Sequence, residues 1–444
     1  MNCEVSEIQV NNKAIKGIKI IGDKITQRNA THTIILLDVS GSMDENNKLI
    51  NVKKSLNFLI KFLQSDDHLS LLTFNSMSQI IIENMNVTSD YIATFQHVIN
   101  MLKADGGTNL SSGLLNVKSI LQRNTSNNIK TGLIILTDGH INEGLKHSDD
   151  ILRIIESIKV TLPSISITTI GYDENHNAEL LKSIAVNGGG SYNIVNNNEE
   201  VATVFGEILG GLVTTVVQNC YIKYDSTWKT LNMYPKSEEG DKTIMKIGDI
   251  NAESETILLF ELPSTTIGNL EIGGVNTKDF STITHNLDYT ILNQNTQPYY
   301  IAYIRFEIAN ILQNLRSLSK ETVDNRLKSI KEYLNISINI LHPLTSYLKR
   351  EIISIEEQLE CPISMNATQN LQQSMCLAFG RGASSQRKVR RPPITRGGIA
   401  RHINFEELEN NMNIMATPFA NAAQREISQN AVNFTQMSAA NDPM

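Results

Sequence analysis

Apolar residues change rhythm twice along the chain, and the changes divide it. From residue 31 to about 213, short and wholly apolar runs alternate with amphipathic stretches. The runs "TIILL", "LSLLTF" and "LIILT" show no polar alternation, as expected of strands buried on both faces. Between them Leu49, Val52, Leu56, Leu59 and Leu63 recur at helical spacing, as do Ile92, Phe95, Ile99 and Leu102, and then Leu110, Leu114, Val117 and Leu121. Further helices are expected near 148–158, near 177–186 and from Glu199 to about Leu212, with strands in "QIIIE", "SISITTIGY" and "GSYNIV". Apolar strands separated by amphipathic helices predict an α/β fold, a doubly wound and mostly parallel Rossmann-like sheet covered on both faces.

After residue 213 the helical period stops. Turn-punctuated, alternating segments such as "QNCYIKYDSTW", "KTIMKIGDI" and "ETILLFEL" predict a small antiparallel, sandwich-like β unit over 214–296. The single Trp228 falls here and reads as ordinary core. Residues 1–30 are also strand-like and can pair with this unit. Apolar stripes return over 297–362, which predicts a C-terminal helical segment. Residues 363–444 are rich in Asn, Gln, Ser, Ala and Gly and are expected to be mostly disordered.

Charge and cysteines narrow the function classes. With Lys+Arg 39 against Asp+Glu 46, the net charge is −7, which lacks the broad basic field of a nucleic-acid binder. The four cysteines, Cys3, Cys220, Cys361 and Cys376, are isolated, so neither a zinc tetrahedron nor a disulfide framework is encoded. No segment approaches the ~20 apolar residues of a membrane span, and the first twenty residues lack the apolar core of a signal peptide. The expectation is a soluble intracellular protein, cytoplasmic in setting. The basic run "RKVRRPP" at 387–393 reads equally as a solvated linker or as an acidic-partner or nuclear-import patch.

The chemistry concentrates after the first apolar strand, in "IILLDVSGSMDENNKL". Ligands of open α/β sheets collect at the carboxyl ends of the strands. Asp38, Ser40 and Ser42 stand there at alternate positions, which in an extended turn point the same way. Two other loops at that sheet edge carry oxygen donors: Thr108 in "DGGTNL" and Asp138 in "LTDG". Five oxygen donors with no nitrogen or sulfur suit a hard cation, Mg²⁺ or alternatively Mn²⁺. If the hydroxyls contact the ion and the carboxylates act mainly through water, the metal stays electron-poor and accepts a carboxylate from a partner. Gly41, Gly106, Gly107 and Gly139 permit the tight turns between the loops.

In order and spacing, "DVSGSM", the threonine of "GGTNL" and "TDG" resemble the von Willebrand factor type A domain and its metal-ion-dependent adhesion site, over residues 31–213. The Gly-rich "NGGGSYNIV" before the closing helix is similar to the intracellular and bacterial branch. The resemblance implies that Asp38, Ser40, Ser42, Thr108 and Asp138 hold Mg²⁺ and that an Asp or Glu of a bound protein completes the shell. Plant ubiquitin ligases with this domain carry a cysteine-rich RING module, whose cysteines are missing here, so a ligase activity is not implied.

Neighbouring residues have plainer readings. Asp44 and Glu45 suit a helix's first turn, Asp105 suits loop hydrogen bonding, His140 a solvent-exposed loop, and Asp66–Asp67 a turn before a strand. The expected function is metal-dependent protein binding, not catalysis. The alternatives are a scaffold in which the metal site is secondary and, more weakly, a Mg²⁺-dependent hydrolase. Against the hydrolase, no GK[ST] phosphate loop, GxSxG elbow or HExxH is present. The sequon Asn109-Leu110-Ser111 adjoins Thr108, and a glycan there would crowd the site. Oligomeric state and partner identity are not encoded legibly.

Overall fold

A computed structural model describes residues 1–360 apart from 26–27, 125–128, 173–175, 196–199, 233, 263–269, 289–291, 315–317, 337–338, 340–341 and 343. The segment expected to be disordered, the basic run at 387–393, Cys361 and Cys376 lie outside the described residues.

The central sheet has six strands: β3 (Thr31–Asp38), β4 (His68–Phe74), β5 (Ser78–Asn86), β6 (Lys130–Thr137), β7 (Ser166–Tyr172) and β8 (Gly189–Val195). Their order is β5-β4-β3-β6-β7-β8, and all pairs are parallel except β4 with β5. All eight residues of β3 and all eight of β6 are buried, which is why both lack polar alternation. Ile35, Leu37, Ile134 and Leu136 face one core, closed by α1 (Lys48–Leu59), α2 (Ser89–Met101) and α6 (Glu200–Thr214). Ile34, Leu36, Leu133 and Ile135 face the other, closed by α3 (Leu110–Arg123), α4 (Ser148–Thr161) and α5 (Ala178–Gly188). This is the doubly wound α/β layer.

α6 runs directly into β9 (Thr215–Asp225) and so ties this layer to the β unit. The unit comprises two antiparallel sheets. In the first, β1 (Asn2–Val10) and β2 (Lys13–Ile21) form a hairpin, and β2 pairs with β13 (Glu255–Glu261), which pairs with β10 (Lys229–Thr230). In the second, β11 (Lys236–Glu239), β12 (Lys242–Asn251), β9, β14 (Leu270–Asn276) and β15 (Thr282–Leu287) follow in that order. Ile18, Ile20, Leu258 and Phe260 of the first meet Val217, Ile222, Met245 and Ile272 of the second. Trp228 is core within this layer, against Tyr224 and Phe260.

The outer face of the first sheet, with Ile8, Val10, Ile15 and Leu259, is covered by α7 (Gln297–Asn314), backed by α8 (Lys320–Leu334) and α9 (Thr345–Glu360). Gly17 permits this docking. A Cβ there would lie 2.1 Å from Cδ1 of Tyr299, so only glycine lets α7 approach β2 this closely. Among the described residues no helix is long and apolar enough to cross a membrane.

Candidate metal centre

Three loops meet at the carboxyl edge of β3 and β6. β3 delivers Asp38, and the backbone continues one rung further, with Val39 N–H donating to Phe74 O at 2.9 Å. Asp38 Oδ1 accepts from Ser40 N–H at 2.8 Å and bends the chain, and Met43, fully buried, anchors the loop in the core below. Gly41–Asn47 is a 3₁₀ segment, so the helix expected directly after the motif starts only at Lys48. Asp44 and Glu45 are exposed in that segment and precede α1 instead of occupying its first turn.

The second loop is stitched to the first through backbone. Asp105 N–H donates to Val39 O at 2.9 Å and Gly41 N–H to Gly106 O at 3.1 Å. Gly106 has φ +77, the left-handed region that glycine enters without a Cβ clash. Asp105 is exposed and accepts from Gly106 N–H at 2.7 Å, which makes it a loop-shaping residue. Thr108 is held from the third loop: its N–H donates to Asn142 Oδ1 at 2.7 Å, and its carbonyl accepts from Asn142 and Glu143 N–H, each at 3.2 Å. Asn109 then caps α3 by accepting from Ser112 N–H at 3.1 Å.

These loops bring the five expected donors together. Ser40 Oγ lies 3.2 Å from Ser42 Oγ, and Ser42 Oγ donates to Asp138 Oδ1 at 2.7 Å. A methyl group on Gly139 would sit 3.6 Å from Thr108 Oγ1 and 3.8 Å from Ser42 Oγ, so both hydroxyls lie over that glycine. Asp38, Ser40, Thr108 and Asp138 are buried and Ser42 is half-buried at the mouth. Burial pushes the Asp38 carboxyl up to about 6, against hydrogen bonds from Ser40 and Thr137, and the neighbouring Asp138 charge adds to the rise.

Two participants escaped the reading of the sequence. Thr137 Oγ1 donates to Asp38 Oδ2 and fixes the carboxylate from beneath. Lys48 Nζ donates to Asp138 Oδ2 at 2.7 Å in a buried ion pair. A signal for Lys48 existed: it stands four and eight residues before Val52 and Leu56, on the stripe of α1 that faces the core. His140 is exposed, in keeping with a loop position. Asp67 is fully buried and accepts from Thr31 N–H and Oγ1, each at 2.8 Å, and from Gln64 N–H at 2.7 Å, so it organises the turn before β4.

Hydroxyls and two carboxylates on three loops, with no soft donor among them, fit a hard divalent cation. Among the described residues no group of three His, Cys, Asp or Glu side chains is placed to hold a metal, so any ion here depends on Ser and Thr oxygens.

The family model of the von Willebrand factor type A domain matches residues 33–207. Relatives include the uncharacterized protein YfbK of Escherichia coli, 26% identical over 245 residues that span 52% of this chain and 42% of that protein. The uncharacterized protein sll0103 of Synechocystis is 26% identical over 243 residues, 51% of this chain and 56% of its own. The Arabidopsis thaliana E3 ubiquitin-protein ligase WAV3 is 25% identical over 255 residues, 54% of this chain and 32% of its own. The chain thus spans about half, or less, of the length of these relatives. Among solved structures, a von Willebrand factor type A protein from Catenulispora acidiphila superposes with a TM-score of 0.60 at 14% identity, over 85% of this chain and 96% of that one. The ArnB paralog VWA2 of Sulfolobus acidocaldarius gives 0.52 at 14% identity, with the same coverage. At such identities the likeness is one of fold, and its extent takes in more than the α/β layer.

Proposed function

With residues 33–207 forming a von Willebrand factor type A domain, we propose that the chain is a protein-interaction module that binds an acidic residue of a partner through a divalent cation. Asp38, Ser40, Ser42, Thr108 and Asp138 would hold the ion, Mg²⁺ in the first instance and Mn²⁺ as an alternative. When bound, it would supply a Lewis-acidic position for a partner's Asp or Glu carboxylate. The observation that carries this reading is the meeting of three hydroxyls and two carboxylates from three loops, with Ser42 Oγ between Ser40 Oγ and Asp138 Oδ1.

The charge balance supports an anionic partner. Asp38, Asp138 and Lys48 together carry one net negative charge when all are ionised, so a divalent ion would leave the site positive and attract a carboxylate. Ser40 Oγ faces Ser42 Oγ, which in turn donates to Asp138, an arrangement that suits ligation and gives no support to a nucleophilic serine. The reading includes an intracellular setting. Asn109 of the sequon is committed at both ends, with Oδ1 capping α3 and Nδ2 donating to Ser76 O at 3.2 Å, so a glycan would disrupt the loop that carries Thr108.

The test is calorimetric titration of Mg²⁺ and Mn²⁺ into the whole chain, beside Asp38→Ala and Ser40→Ala, with and without a glutamate-containing peptide. Saturable binding lost in both variants, with peptide affinity that disappears in EDTA, is the expected result. A folded wild-type protein that binds neither ion, even with peptide present, would overturn the proposal.

A further inference from the structure

At the opposite edge of the sheet, where β6, β7 and β8 begin, a cavity of about 580 Å³ opens between the α/β layer and the β unit. Gly132, Ser166 and Gly189 line it from the strand starts, Lys159 from the end of α4, and Asn219 and Asp249 from β9 and β12. Its size is that of a small-molecule site.

One end of this cavity holds more positive charge than its carboxylate balances. Asp249 is already engaged: Oδ2 pairs with the buried Lys130 ammonium, and Oδ1 accepts from Asn219 N–H at 3.1 Å. Lys159 Nζ donates to Ile165 O at 2.8 Å and reaches Asn219 Oδ1 only at 3.4 Å. Among the described residues, no carboxylate lies within ion-pair distance of it. Lys246 adds a third ammonium at the exposed rim. Burial drives the Lys159 ammonium down to about 8, with Asp249 opposing the fall and Lys130 and Lys246 adding to it. Glu207 and Glu255 line the same cavity, and Glu255 is engaged by Lys19 at 3.4 Å.

The backbone leaves room beside that ammonium. Gly189 has φ +74 where α5 ends, and a Cβ there would lie 3.8 Å from Lys159 Nζ and 3.7 Å from Asn219 Oδ1. Gly248, at φ +95, brings its backbone against the Gly189 carbonyl. Two glycines in left-handed conformations therefore form a floor without side chains, next to a half-buried cation that has an unused donor.

We propose that this cavity binds a small ligand bearing a phosphate group, its anionic head against Lys159 above Gly189 and within the field of Lys130 and Lys246. With Asp249 paired to Lys130, the ammonium groups of Lys159 and Lys246 are the positive charges left at this end, with Glu207 and Glu255 also on the cavity wall, and they face the charge of about −1.5 to −2 that a phosphate monoester carries near neutral pH. Lysine binds such a group as a point charge without requiring bidentate geometry.

Inorganic phosphate and adenosine monophosphate, titrated into the whole chain at constant ionic strength in EDTA, test this by calorimetry and thermal shift. Saturable binding and a rising melting temperature are expected with wild type and with Asp38→Ala, whose lesion lies at the other sheet edge. Lys159→Met should abolish the effect, and the exposed Lys246→Ala, which should fold normally, should weaken it roughly three- to tenfold. Tighter binding of the ester than of the free ion assigns the remaining volume to an organic group, whereas equal binding assigns the site to phosphate itself. Absence of saturable binding, binding undiminished in both lysine variants, or an effect that requires Mg²⁺ would each overturn the proposal. The last outcome would move the anion to the metal centre.

Discussion

Lys48 Nζ lies 2.7 Å from Asp138 Oδ2, in an ion pair whose side chains are 6% and 0% exposed. It places a fixed cation against one of the two carboxylates at the candidate metal centre. The pair leaves Asp138 Oδ1 to Ser42 and commits Oδ2 elsewhere, which favours an indirect role for this carboxylate beside an ion.

Lys48→Met should therefore separate metal affinity from stability. Removing one partner of a buried pair costs about 3–5 kcal/mol, and this loss should appear in melts performed in EDTA. A divalent ion would no longer be repelled by the ammonium. Its affinity should rise at least about tenfold, because a unit charge about 6 Å from a divalent ion contributes about 1.4 kcal/mol even at the dielectric of water. Calorimetry with Mg²⁺ reads this directly, and an unchanged affinity would remove Lys48 from the field of the ion.

Asp38→Asn makes the complementary test. The carboxylate is fully buried and accepts from Ser40 N–H and Thr137 Oγ1. Burying that charge without a cation is costly, so the neutral amide should leave the metal-free protein as stable as wild type, or more stable by about 1–3 kcal/mol. The same substitution should abolish any stabilisation by Mg²⁺. Paired melts with EDTA and with Mg²⁺ distinguish this from simple misfolding, which would lower both.

What the sequence disclosed depended on how local the cause was. The wholly apolar β3 and β6, and the motif residues from Asp38 to Ser42, are read within a few positions because burial on both faces and a single turn determine them. Thr108 and Asp138 are legible as loop residues at the same sheet edge once parallel topology is inferred. Lys48 is different: its position on the core stripe of α1 is visible, yet its partner stands 90 residues away on another loop. The pairing of β2 with β13 and the cavity over Gly189 arise from contacts between distant segments, which no local period encodes.

His32 predicts an acid sensitivity that does not involve the metal centre. Burial, with a smaller contribution from the His68 charge, lowers its pKa from 6.5 to about 4, and its Nε2 lies 2.9 Å from Ser70 Oγ. Between those values the unfolded chain binds the proton and the folded one does not, so this histidine favours unfolding as pH falls through about 6.5 toward 4. The full effect is roughly 3 kcal/mol. Asp38, whose carboxyl is raised to about 6, contributes in the opposite sense, so the informative comparison is with a variant. His32→Gln, which can keep a hydrogen bond to Ser70, should lose less stability between pH 7 and pH 5 than wild type in metal-free denaturant titrations. Equal losses would assign the sensitivity to other groups.

Gly17 tests whether the helical layer and the metal centre are energetically separate. A Cβ at this position meets the Tyr299 ring, so Gly17→Ala must push α7 away from β2 or tilt the ring, at about 1–3 kcal/mol. Tyr299→Ala opens a cavity in the same layer and should cost about 3–5 kcal/mol alone. If the clash is the cause, the double variant should be no less stable than Tyr299→Ala, because the added methyl then fills vacated space instead of striking the ring. Denaturant unfolding of the four proteins closes this cycle. Mg²⁺ titration of Gly17→Ala should match wild type, since β2 and α7 supply none of the five oxygen donors; a parallel loss of ion affinity would show that the layers are coupled through β13 and the cavity it borders.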